Sequence, residues 1–514
     1  MFTKSVRRLG STRFLTVLVT FLLFAAVAQA ELQQVSVGGE LRIRGRWYMN
    51  TFTQGFARET RIPNAWLGKR PIGFNGVSSI FAWDGDTVDW ARYESSVLLD
   101  VKAEFTDNIG AVIELYDFHQ WGEDFRSNYI TGNDFRATTS DDVEINQAYI
   151  HVRSLFDSPI GVVVGRQRVK LGKGWLISDM LTPSQYISHD GILLHYLQDP
   201  WAILAFTAKP LETMGGDDDA DIYGMYGTWA GMDALALSGY WMLLRHATGV
   251  EDTYGGLFQE WLEDRLDIDD YDATKLHTVG MRAFGMKGGW DYDLEVAYQF
   301  GEADHTGAMF RPVGMRYGDD DAEYDNWGAQ LDLGYTFQET AWSPRLLMQA
   351  CYFQGHDNRD ISFWGWINPF YTPEASVSFN RLLSSENHVP TINDNGWLSN
   401  FYQITGGVEL QPTEKITLHM HVAKEWIDEP FDFPVFPGLP FWTREGSDDL
   451  GWEIAAWAKY NYSDDLSFML YGNVLFPDDG LTDGAFIQFN GTDFSGGSDN
   501  DTAGYLFWMS TLKF

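Results

Sequence analysis

Cysteine is almost absent: Cys351 is the only one in 514 residues, so no internal disulfide can brace the chain. Positive charge is scarce as well, with 36 Lys+Arg against 72 Asp+Glu, and the resulting −36 excludes nucleic acid as a partner. Beyond residue 30 no run of about 18 apolar residues occurs, which excludes a transmembrane helix. Also missing are a G-x-S-x-G elbow, an H-E-x-x-H pair and a Cys–His pair at useful spacing. The sequence therefore gives no sign of an enzyme.

Aromatic residues, by contrast, make up 16% of the chain and glycines number 51, far more than a solvated acidic domain needs. At the N-terminus, Lys4, Arg7, Arg8 and Arg13 surround the start of an apolar run from Phe14 to Val27, and Ala28-Gln29-Ala30 fits a cleavage site. Residues 1–30 are thus expected to be a signal peptide and 31–514 an exported domain. Cleavage removes four bases and no acid, leaving 32 Lys+Arg against 72 Asp+Glu, or −40. An exported, aromatic, glycine-rich chain without a membrane helix points to a transmembrane antiparallel β-barrel in a bacterial outer membrane.

Period-two alternation supports that fold class. In 91–105, Tyr93, Val97, Leu99, Val101, Ala103 and Phe105 share one face, while Arg92, Glu94, Asp100, Lys102 and Glu104 share the other. The split recurs in 290–300, 327–338 and 415–423. Eighteen such segments can be placed, the first at 37–50, the fifth at 160–170 and the last at 503–514. Short turns such as Thr106-Asp107-Asn108, Asp199-Pro200, Gly288-Gly289 and Ser463-Asp464 follow every second segment, and longer connectors fill the other gaps. Short periplasmic turns and long extracellular loops are the expected arrangement. The final strand, ending in Phe514, resembles the signal read by the barrel-assembly machinery.

With the apolar face toward lipid, the polar face lines a lumen. A charge on the lipid side near the midplane costs roughly 2–4 kcal/mol, so Arg42, Arg44 and Arg46 are expected inside together with Glu40. Arg92, Arg153, Arg166, Arg168 and Lys170 are assigned to the same inner wall, the last three from the stretch GRQRVKLGKGW. Two readings follow. These cations form a track for an anionic saccharide, since guanidinium forks match carboxylates bidentately. Alternatively, inner cations and carboxylates pair into a hydrated lumen with a transverse field, as in a general or carbohydrate-selective diffusion porin.

Gly165-Arg166-Gln167, followed by Gly172 and by His189-Asp190-Gly191, resembles the alginate export family of outer-membrane barrels. The resemblance implies an eighteen-stranded barrel exporting an anionic polysaccharide through an arginine-lined constriction, with Arg166 as the main contact and Arg44 and Arg153 as partners. Lys173-Gly174-Trp175 stands where that pattern carries an acidic residue and an arginine.

The connectors 209–221, 245–274, 302–325, 425–449 and 476–503 together hold 34 acids and 6 bases, a net −28. They form a self-repelling surface facing lipid and lipopolysaccharide. Runs such as Asp217-Asp218-Asp219 and Asp319-Asp320-Asp321 offer oxygen ligands to Ca²⁺, but no EF-type loop is present, and no cofactor is expected. His419 and His421 fall on adjacent inner positions of one strand and are expected to be hydrated pore lining. The aromatic segment 356–399, with Trp364, Trp366, Phe370 and Tyr371, is read either as a loop packed on its neighbours or as a constriction of the mouth.

Overall fold

The computed structural model describes residues 32–51, 88–121, 143–182, 185–211, 219–247, 256–268, 271–309, 317–356, 361–392, 399–430, 433–434, 439, 441–444, 446–482 and 502–514. The expected signal peptide lies outside them.

Alternating side chains drive the chain into strands, and eighteen of these join into one antiparallel sheet. They are β1 (Gln34–Thr51), β2 (Val88–Glu104), β3 (Ile109–Gln120), β4 (Glu144–Val152), β5 (Ile160–Gln167) and β6 (His189–Gln198). Next come β7 (Trp201–Leu211), β8 (Ala220–Met232), β9 (Leu235–His246), β10 (Thr274–Lys287), β11 (Trp290–Glu302) and β12 (Glu323–Thr336). The remainder are β13 (Arg345–Phe353), β14 (Phe401–Thr413), β15 (Ile416–Ile427), β16 (Asp449–Asn461), β17 (Leu466–Pro477) and β18 (Ala503–Lys513). Each strand pairs with its sequence neighbours, and β1 pairs with both β2 and β18, so the sheet closes. At the seam, Gly39 exchanges backbone hydrogen bonds of 2.9 and 3.1 Å with Phe514.

The outer face is apolar and bare. Leu99, Ile113, Ile150, Val164, Ile192 and Leu194 are all exposed, a continuous surface that a soluble monomer would not leave uncovered. The buried apolar cluster lies inside the barrel. Trp175 is fully buried, with ring centroids 6.1 Å from Phe353 and 6.0 Å from Phe379, and Leu176, Ile177 and Leu382 pack around it.

This interior core exists because two connectors enter the barrel. The strand expected over 160–170 ends at Gln167, and the chain turns inward so that Leu171–Ser178 crosses the lumen. Opposite it, residues 375–391 of the connector between β13 and β14 are held to the wall by Asn326 (Nδ2 to Val377 O, 2.9 Å) and by Gln299. Gln299 donates to Asn380 O and accepts from Asn380 N, both at 2.7 Å. The two inward segments then join through main-chain bonds: Leu383 N donates to Leu176 O at 2.9 Å and Ser178 N to Leu383 O at 3.0 Å. Of the segment 356–399, residues 375–391 therefore run inside the barrel, whereas Trp364 of its aromatic part stands exposed. The reason is that Asn326 and Gln299, inner-face amides, offer its backbone the bonds a lumen crossing requires.

Trp175→Ala should remove the ring that this partition packs on, at about 3–5 kcal/mol for a buried Trp. Single-channel conductance should rise while the barrel keeps its heat-modifiable gel mobility, because Trp175 takes no part in wall closure. Unchanged conductance would show that the partition does not restrict the lumen.

Candidate functional site

The inner wall of β1 and β2 carries the first cluster. Register sets Arg44 opposite Glu94 and Arg46 opposite Arg92, so two guanidiniums face each other beside one carboxylate. Glu94 answers all three: Arg44 Nε at 2.5 Å, Arg46 Nη2 at 2.9 Å and Arg92 Nε at 3.3 Å. Arg44, Arg46 and Glu94 are each under 5% exposed, so the first two cannot meet a passing solute. The short turn Pro390–Ile392 of the inward connector lies against β1, β17 and β18 beside them.

The second cluster joins β1 to the inward turn after β5. Arg42 pairs with Glu40 at 2.6 Å and donates to the Tyr186 hydroxyl at 3.3 Å, which itself donates to Glu40 at 2.9 Å. Arg168 lies 4.6 Å above the Tyr186 ring, a cation–π distance, and pairs with Glu114 at 3.5 Å. Nearer the short turns, Arg153 pairs with Glu104 at 2.6 Å and Lys102 with Asp100 at 3.1 Å. Lys170 is exposed on the inward turn, with no ion pair among the described residues.

Arg166 requires a correction. It stands opposite Ala148 and Asp190, in the same register as Val164, Ile160 and Ile150, which form the bare apolar face. The inward positions of β5 are Gly161, Val163, Gly165 and Gln167, as His195 packed over Gly161 shows. Arg166 therefore lies on the outer side of the wall, paired with Asp190 at 3.1 Å. The cations of GRQRVK share no common face because the strand stops after Gln167. Gly165, with φ of +129°, faces inward where a Cβ would strike Ala148 O at 2.3 Å.

Across the barrel the balance reverses. Arg282 pairs with Asp293 at 2.8 Å and Arg345 with Asp291 at 2.9 Å, while Lys173 from the inward turn meets Asp332. Glu295, Glu409 and Glu453 line the same side. His419 Nε2 and His421 Nδ1 are 3.0 Å apart on the inner face of β15. Among the described residues no group of three His, Cys, Asp or Glu side chains could hold a metal. The lumen thus runs between a wall rich in arginine and a wall rich in carboxylate.

Carboxyl groups also fasten the inward connector. Asp319 accepts from Ala375 N at 2.5 Å and from Asp321 N at 3.2 Å, so this acid of the Asp319-Asp320-Asp321 run is a backbone latch. Burial pushes its carboxyl up to about 6, and it pushes Asp304, beside Glu302 and Asp272, up to about 7. The buried Glu386 carboxyl is raised as well, again chiefly by desolvation. Sequence reasoning missed Tyr186, Lys173 and the latch at Asp319, all of which lie on connectors whose path no alternation encodes.

The sequence pattern of a family described as alginate export matches residues 87–453. The chain belongs to the alginate export family. Among solved structures, OpdL of Pseudomonas aeruginosa is similar at a TM-score of 0.52 and 10% identity, covering 94% of this chain and 99% of that one. OprD of Pseudomonas aeruginosa is similar at 0.49 and 10% identity, covering 95% and 96%. OccAB2 of Acinetobacter baumannii scores 0.48 at 12%, covering 93% and 98%. A comparison with curated protein sequences finds no match. This member of the alginate export family is a closed outer-membrane barrel of the channel type and not an enzyme.

Two outcomes test this geometry. Glu94→Ala leaves Arg44 and Arg46 buried without their carboxylate and should cost about 3–5 kcal/mol, read as a lower unfolding midpoint in detergent; an unchanged midpoint would mean that solvent reaches them. The second concerns pH. A carboxyl whose folded pKa is raised binds its proton more tightly in the folded state, so seating of the inward connector on Asp319 is strongest below about pH 4 and weakens as pH rises through about 6. Conductance should accordingly fall on acidification from pH 8 to pH 5, and Asp319→Asn, neutral at every pH, should flatten that response.

Proposed function

We propose that the protein is a passive channel for small hydrophilic solutes, with its short turns in the periplasm and its long acidic connectors outside the cell facing lipopolysaccharide. Residues 1–30 serve as the signal peptide on this reading, and residues 31–514 form the barrel that the assembly machinery recognises through the strand ending in Phe514. The observation that carries the proposal is the pairing of the inner cations. Arg42, Arg92, Arg153 and Arg168 each have a carboxylate within 3.5 Å, and Arg44 and Arg46 are buried around Glu94. A solute therefore meets fixed ion pairs and a transverse field, which orient dipoles and retard neither sign of ion strongly. The partition narrows the path further and suits small solutes better than a polymer.

The second reading, conduction of an anionic polysaccharide such as alginate, is favoured by family membership and by the partly exposed Arg92, Lys102, Arg153, Arg168 and Lys170. Exposed charge of this kind is screened within about 8 Å at physiological salt, so these positions attract anions weakly unless they act together.

In a planar bilayer with a KCl gradient, the small-solute channel should show a reversal potential near zero and no block by added oligouronate. Strong anion selectivity with block would establish the polysaccharide reading instead. Arg168→Glu should shift the reversal potential toward cations, whereas Arg166→Glu, on the outer face, should leave it where it was. Equal effects of the two substitutions would overturn the assignment of faces.

A further inference from the structure

A cavity of about 370 Å³ lies beneath the inward connector, against the inner faces of β12, β13 and β14. Its floor is made of the amides Gln330, Gln349 and Gln403, with Lys173, Asp332 and Glu386 around them. Much of this lining is already spoken for. Lys173 is neutralised by Asp332, which also accepts from Gln349 Nε2 at 2.8 Å, and Gln403 Nε2 donates to Glu425 and to His388 O, both at 3.0 Å. Gln330 hydrogen-bonds Glu386, yet its Oε1, on a side chain 6% exposed, has no partner among the described residues. A buried acceptor left unmatched is costly, so a ligand that donates to it gains from the first contact.

The lining also selects by charge. An anion would approach Asp332 and Glu386, and the cations beside them are already engaged, Lys173 by Asp332, Arg381 by Glu386 O and Arg345 by Asp291, whereas a cation would displace Lys173 from Asp332. A hydroxyl group suits the site better, because it donates and accepts at once and can answer a side-chain amide in either role. The volume falls at the lower end of small-molecule pockets, the size range of one or two sugar rings.

We propose that this cavity is a binding site for a small neutral saccharide or polyol, held by the three amides and Asp332, and that it discriminates against uronates. The proposal rests on the small-solute channel reading and deepens it by naming the solute class.

Cys351 supplies the test, because the chain's single thiol lines the same cavity. The alkylation rate of Cys351 by N-ethylmaleimide would be measured on the full-length barrel with D-glucose, maltose or D-glucuronate at equal concentrations. Neutral sugars should slow alkylation saturably and glucuronate should not. Gln330→Leu should weaken the glucose protection by about threefold to tenfold, the worth of one hydrogen bond. Equal protection by glucose and glucuronate, or none by either, would overturn the site.

Liposome swelling separates this result from the channel reading. Swelling in sugars and in small amino acids alike, without protection of Cys351, rejects the site and keeps the channel; no swelling in any solute rejects the channel. Should the thiol prove unreactive, the glucose-to-glucuronate ratio of swelling rates decides. That ratio should fall about threefold or more in Gln330→Leu if one hydrogen bond is lost, and an unchanged ratio would sink the proposal.

Discussion

Every backbone amide and carbonyl of the wall must find its partner within the wall, because lipid offers none. The pairing of β1 with both β2 and β18 meets that demand and leaves no edge. Once the ladder is closed, alternation decides which side chains enter the lumen, and the charged half of each strand has nowhere else to go. Charges confined to a narrow interior then require partners of their own. Glu94 among Arg44, Arg46 and Arg92, or Arg282 on Asp293, are consequences of closure as much as of selection for transport.

The wall was legible in the sequence because a two-residue period survives translation into structure without loss. Eighteen segments became eighteen strands, and Arg42, Arg44, Arg46 and Arg92 face inward as alternation requires. Parity failed at a single kind of place, the end of a strand. Arg166 and Arg168 are two apart, but the strand stops between them, so one lies outside and the other turns back over Tyr186. No periodic signal marks where an inward connector will run. Trp175 could have been noticed as a large apolar residue amid glycines and lysine, although its neighbours Phe353 and Phe379 come from distant segments.

Family membership and local electrostatics speak to different levels of this molecule. The matched region, residues 87–453, accounts for most of the wall and for both inward segments. Within it, Lys173 occupies the inward turn and is claimed by Asp332, and Glu94 of β2 claims Arg44 and Arg46 from β1, outside the matched region. A shared architecture can thus carry lumens of different character, because reassigning a few ion pairs alters the field without disturbing the ladder.

The bond pair between Leu176, Ser178 and Leu383 bears on how the molecule is made. Its halves come from segments on opposite sides of the barrel, separated in sequence by eight strands, so they meet only when those intervening strands have curled around the lumen. The partition is thus a long-range contact laid across a wall built almost wholly from neighbour pairings, and its formation depends on the curvature of the wall as a whole.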